Sequence, residues 1–318
     1  MYRSPVPEER QVTAAMCAVL AERIDVAVQR FEQFGLRVPD TGRLRKERRL
    51  LQAIADEGEY PSSRSLLALI GNAIQDAMDF HQISRLLPAG RSDELASDLD
   101  RALRGTVEQG EPTRKPYQFQ SQLWLGAMLE YAGLDPEVPR FTGRRSPDFL
   151  INCTTSVYGV EVKRPERQTS IVKNLDSAVA QLSAAEKYGT VAIDLSDCLG
   201  ASVLRRITDV AGDAPYDAAH VDFLRMRDDL QARVFDQQRR QYQPGYGRVM
   251  VLLIFARGLR WDLANPKAPY PFTMTEVGAF TSAHGSLRHH HAVRIRDSLI
   301  EGLRTAGLYV SDQSTTVI

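Results

Sequence analysis

The chain has 318 residues, 43% of them hydrophobic and 25% charged, which is enough to bury a core and about two domains' worth of length. Forty basic residues balance forty acidic ones, so no overall charge draws the chain to nucleic acid or to an anionic membrane. No apolar run approaches the roughly 18–20 residues of a membrane span, the opening MYRSPVPEERQ lacks an apolar signal core, and Cys17, Cys153 and Cys198 are too scattered for a disulfide framework or a cysteine zinc cluster, so a cytoplasmic protein away from membranes is expected.

In chain order, residues 1–112 are expected to form an all-helical N-terminal domain. Apolar residues recur every three to four positions over residues 9–34, where Gly35 and Pro39 stop the pattern. Further helices are expected over 43–55, from Ser62 or Ser63 to 88, and over 92–107. The polar, proline-bearing stretch 105–116 marks the domain boundary.

Residues 113–318 change character. An apolar helix over 117–131 precedes two short runs rich in branched and aromatic residues, 148–153 and 156–162, expected to pair as strands. A helix over 170–188, a strand over 190–195, helices over 201–210 and 218–240, a fully apolar strand over 248–255, a strand over 273–280 and a helix over 290–306 complete an α/β layered domain.

The sharpest local feature is SPDFLINCTTSVYGVEVKRP, residues 146–165. Glu161 and Lys163 are two apart on a strand and therefore share a face; a hairpin brings Asp148 to that face as well. Two close carboxylates repel unless a proton or a cation intervenes, and oxygen donors suit a hard divalent ion. A neighbouring lysine can position or deprotonate a water and stabilise charge on a phosphate. Only six of the 40 basic residues are lysines, and Lys163 ends the single [D/E]-x-K in the chain.

This pattern resembles the PD-(D/E)xK nuclease superfamily over residues 117–195, with Pro147-Asp148 and Glu161-Val162-Lys163 as its two motif strands. The resemblance implies a restriction-endonuclease-like mixed sheet flanked by helices, and a nuclease that hydrolyses phosphodiester bonds with Mg2+ or Mn2+. It implies Asp148, Glu161 and the Val162 carbonyl as metal ligands and Lys163 as the catalytic lysine. Gln122 stands where the family often carries an acidic residue, with Glu130 two turns later, which leaves the number of metals open. The Q-x-x-x-Y motif is not kept: Gln181 is followed by Ala185, and the tyrosine comes at Tyr188. DNA is the expected substrate, with RNA open; a homodimer, a role in antiphage defence and a protein partner for the helical domain follow by the same analogy. The competing expectation is a binding module that keeps the nuclease fold without its chemistry.

From Arg140 to Lys173 seven basic residues face three acidic ones, so Arg144, Arg145, Arg164 and Arg167 are expected to hold phosphates beside the site. The basic run 43–49 is expected to be one face of a helix. The triplet His289, His290 and His291 reads as a polar helix start, since adjacent helical positions fan around the axis. The Gln-rich stretch 235–247 reads as an exposed helix end and loop; its alternative is a nucleic-acid contact with Tyr242 and Tyr246 stacking on bases.

Overall fold

The computed structural model describes residues 12–85, 93–104, 114–139, 146–199, 214–243, 245–261, 269–279 and 286–305. The N-terminal region is helical: α1 (Ala14–Gln33), α2 (Arg43–Glu57), α3 (Arg64–Ile83) and α4 (Asp93–Leu103). Thr13 caps α1 by accepting the Met16 N–H, and the buried stripe Cys17, Leu20, Ile24, Val28 and Phe31 follows the periodicity of the sequence. Gly35, at φ +78°, and Gly58, at φ +77°, follow α1 and α2 in left-handed conformations that glycine adopts without strain.

Helix α5 (Arg114–Tyr131) begins three residues before the expected start. Pro116 allows this because it falls in the first turn, where a backbone N–H has no intrahelical partner. Next come β1 (Phe149–Cys153), β2 (Ser156–Lys163), α6 (Ile171–Ala184), β3 (Gly189–Asp194) and α7 (Ala214–Phe235). The chain closes with α8 (Gln237–Tyr242), β4 (Val249–Trp261), β5 (Pro269–Ala279) and α9 (Leu287–Thr305). The single helix expected over 218–240 is broken at Asp236, whose carboxylate accepts the Arg239 N–H and starts α8. Helix α6 stops earlier than expected, with Glu186 at φ +56° reversing the chain into β3. Strands β4 and β5 are longer than their apolar runs because each completes the other's ladder from Val251↔Ala279 to Trp261↔Pro269. The helix expected over 201–210 lies outside the described residues, as does most of the expected boundary at 105–116.

The five strands form one mixed sheet in the order β1-β2-β3-β4-β5. β1 and β2 are an antiparallel hairpin, β2, β3 and β4 run parallel, and β5 returns antiparallel. Gly189 lets β3 approach β2: a Cβ there would stand 1.8 Å from the Gly159 carbonyl oxygen. α6 and α7 cover one face, where a Cβ on Gly159 would meet Leu182 and one on Gly278 would meet Phe235. On the other face Trp124 of α5 packs against Phe255 of β4 at 5.1 Å between ring centroids. α9 packs on α5, β4 and β5, and α3 reaches across to α5 and β4, so one apolar core runs from the helical region into the sheet. Among the described residues no helix is long and apolar enough to cross a membrane.

Candidate active site

Alternation along β2 places Glu161 and Lys163 on the α6 face and Val160 and Val162 on the α5 face. The hairpin register, Phe149↔Val160, sets Asp148 opposite Glu161 just beyond the last ladder pair. Asp148 Oδ2 accepts the Val162 N–H at 2.7 Å. A strand residue projects its N–H and C=O to the same side, so the Val162 carbonyl also points past the end of β1. Lys163 donates to Glu161 Oε2 at 2.9 Å. Asp148, Glu161, Val162 and Lys163 are thus brought together at one end of the sheet.

Glu161 is 0% exposed, and its Oε1 has no hydrogen-bond partner. Burial and the nearby Asp148 push its carboxyl up to about 8, against the pull of Lys163. Burial also raises Asp148; Lys163 and the Val162 N–H oppose this, and the charge of Asp98 adds to it. The pair therefore behaves as two carboxyls in need of a shared proton or cation. A hard divalent ion fits this donor set: the orphaned Glu161 oxygen, Asp148 and the Val162 carbonyl would hold it. Among the described residues no three His, Cys, Asp or Glu side chains gather closely enough to hold an ion by themselves, so the shell would be completed by backbone oxygen and water.

Asp98 of α4, a partly buried carboxylate, was not singled out in the sequence. It accepts a hydrogen bond from Gln122 Nε2 at 3.1 Å, so Gln122, expected in the site, is engaged with another helix. Burial raises the Asp98 carboxyl, opposed by Arg101 and Gln122. The signal was present in the pattern of α4: Leu95, Leu99 and Ala102 form its buried stripe, and Asp98, three after Leu95, lies within it. Glu130 is solvent-exposed near the end of α5.

Of the four arginines expected to hold phosphates, Arg144 and Arg145 lie outside the described residues, and Arg167 is exposed beside the short 3-10 turn Gln168–Ser170. Arg164 is placed otherwise. It projects to the α5 face, is 8% exposed and grips Asp197 with two bonds of 2.9 and 2.8 Å, with Asp194 and Ser121 on its remaining amine. Adjacent residues on a strand face opposite ways, so Lys163 and Arg164 serve different faces.

Arg164 belongs to a buried polar network. Asp194 Oδ2 accepts from Arg257, whose other amine meets Asp79 Oδ1 at 2.5 Å. Gln120 donates to both Asp76 and Asp79 at 2.8 Å and accepts from Arg43 at 2.7 Å. Arg43, the first residue of the basic run 43–49, is therefore a core residue, while Arg45 and Arg48 pair with Asp25 on α1.

The histidines start α9 as expected, with His290 Nδ1 at 2.9 Å from the Ser286 carbonyl, but His291 is buried against Tyr158 of β2. Tyr242 is exposed at 77%, whereas Tyr246 is buried with its hydroxyl on Asp176 and has no face to offer a base. In comparisons with known proteins, the chain matches no family model, no curated protein and no solved structure.

Proposed function

We propose that this protein is a divalent-metal-dependent nuclease of the PD-(D/E)xK type that hydrolyses phosphodiester bonds, with DNA as its substrate. One observation carries the reading: a fully buried glutamate with an unpartnered oxygen, Glu161, beside Asp148 and bonded to the ammonium of Lys163.

Mg2+ or Mn2+, when bound, would supply Lewis-acid stabilisation of charge developing on the phosphate. The chain's own residues do the rest. The Val162 N–H fixes Asp148, and Glu161 Oε2 fixes the ammonium of Lys163. Lys163 is 17% exposed, so its ammonium meets both the buried glutamate and solvent, a position from which it can orient an attacking water and stabilise charge developing on the phosphate. Arg167, exposed after the end of β2, serves as a phosphate contact.

The test is incubation of the purified chain with plasmid, linear and single-stranded DNA and with RNA, each with Mg2+, Mn2+ or EDTA, beside Lys163→Ala. Metal-dependent cutting lost in the variant is the expected result, and the substrate consumed names the class. A second reading, a binding module on the same fold, is favoured by the amide of Gln122 in place of a carboxylate; it predicts retention of nucleic acid with no cutting under any metal.

A further inference from the structure

We propose that Glu47 is protonated in the folded chain and donates its proton to Asp76, forming a pH-sensitive lock between α2 and α3. Both oxygens of Glu47 are buried without a hydrogen-bond partner, and so is Oδ2 of Asp76. One guanidinium stands beside both carboxyls: Arg43 Nε lies 3.9 Å from Glu47 Oε1 and 3.1 Å from Asp76 Oδ2. All three side chains are buried. A hydroxyl on Glu47 supplies a donor for the orphaned oxygen of Asp76 and removes a charge from the core. The proton belongs on Glu47, because Asp76 already accepts the Gln120 amide on Oδ1 at 2.8 Å and has the closer contact with Arg43.

Two carboxyls that share one guanidinium away from water do not both ionise without cost. The groups that face Glu47 are Arg43 on its own helix, Asp76 on α3 and Tyr117 on α5, whose ring centre lies 4.6 Å from the Arg43 guanidinium. Arg43 is held in place by Gln120 Oε1 at 2.7 Å, and Asp79, three residues after Asp76, takes up Arg257. Burial and the charge of Asp76 raise the Glu47 carboxyl well above its usual range against the pull of Arg43, and the hydrogen bond to Asp76 adds to the rise. A raised carboxyl stabilises the fold fully below its ordinary value of 4.5 and loses that contribution as pH rises through the raised one. Loss of the proton therefore loosens α2 from α3, inside the helical N-terminal region.

The experiment is hydrogen exchange of the full chain in EDTA from mildly acid to alkaline pH, corrected for the intrinsic exchange rate, beside Glu47→Gln. That variant keeps a donor for Asp76 and cannot ionise. In the parent, opening of α2 and α3 should grow about tenfold per pH unit above 4.5 until the raised value is passed, and Glu47→Gln should lack this growth. Thermal unfolding reports whether the variant folds. If it does not, a 13C titration of the glutamate carboxyls of the parent takes its place, with Glu161→Gln identifying the Glu161 signal; a second glutamate should then titrate well above the ordinary range. The proposal is overturned if α2 and α3 open with the same pH dependence in the parent and in Glu47→Gln, or if Glu161 is the only glutamate that titrates there.

Discussion

Lys163 and Arg164 are neighbours in sequence, yet strand alternation sends them to opposite faces of the sheet, into two clusters of buried charge that are built differently. On the α5 face Arg164 grips Asp197 with two bonds, and Arg257 bridges Asp194 and Asp79, which also accepts from Gln120. On the α6 face Glu161 and Asp148 lie together with one ammonium between them and water, and one buried oxygen is left without a donor. The first arrangement holds α3 to β4 through these bonds, although it too leaves buried atoms without a hydrogen bond, among them Asp76 Oδ2 and Arg257 Nε. What separates the two is access to solvent: the Lys163 side chain is 17% exposed, those of Arg164 and Arg257 8% and 4%.

The comparison is sharpened most by activity. Lys163→Ala should reduce metal-dependent cleavage by roughly a thousandfold or more, whereas Arg167→Ala, one exposed phosphate contact, should weaken substrate binding and lower its salt dependence. Rate against salt concentration distinguishes the two.

Stability should respond in opposite directions on the two faces. Asp79→Ala leaves the Arg257 guanidinium, 4% exposed, without its closest partner, and should cost about 3–5 kcal/mol in urea unfolding. Asp148→Asn removes a repelling charge and keeps an oxygen for the Val162 N–H; in EDTA it should gain roughly 1 kcal/mol. Destabilisation by Asp148→Asn of the size seen for Asp79→Ala would make the site a structural element like the network.

The pH dependence should also divide. Glu161 has its carboxyl raised from 4.5 to about 8, so its contribution to metal-free stability is complete below about 4.5 and disappears as pH rises through about 8. Burial alone would raise Asp194, but Arg164 and Arg257 outweigh it and hold this carboxyl below the usual range, so its contribution is present above 3.8 and lost as pH falls through the depressed value. Unfolding midpoints in EDTA should therefore fall toward both ends, and Glu161→Gln should flatten the alkaline limb alone.

Much of the frame was legible from local pattern. The hairpin bearing Asp148 and Glu161 followed from branched runs interrupted by Thr154 and Thr155, and alternation put Glu161 and Lys163 on one face. What remained hidden was long-range. Arg164 was read with its basic neighbours, but its direction is set by the parity of β2 and by Asp197, 33 residues on. Asp76 and Asp79 fall on the buried side of α3, yet only the meeting of α3 with Gln120 and Arg257 explains why charges stand there. Asp98, before the expected domain boundary, bonds to Gln122 beyond it, a contact that spacing along one chain does not announce. The long ladder of β4 with β5 likewise depends on pairing rather than on either run alone.

The most direct test of the contrast is thermal unfolding of the parent, Asp148→Asn and Thr190→Ala with and without Mn2+; Thr190, buried on the neighbouring strand, controls for general effects. An ion that binds only the folded state raises its midpoint. The account predicts that Mn2+ raises the midpoint of the parent and of Thr190→Ala but not of Asp148→Asn. An equal Mn2+ shift in all three, or none in the parent, would contradict a cation site at Asp148 and Glu161.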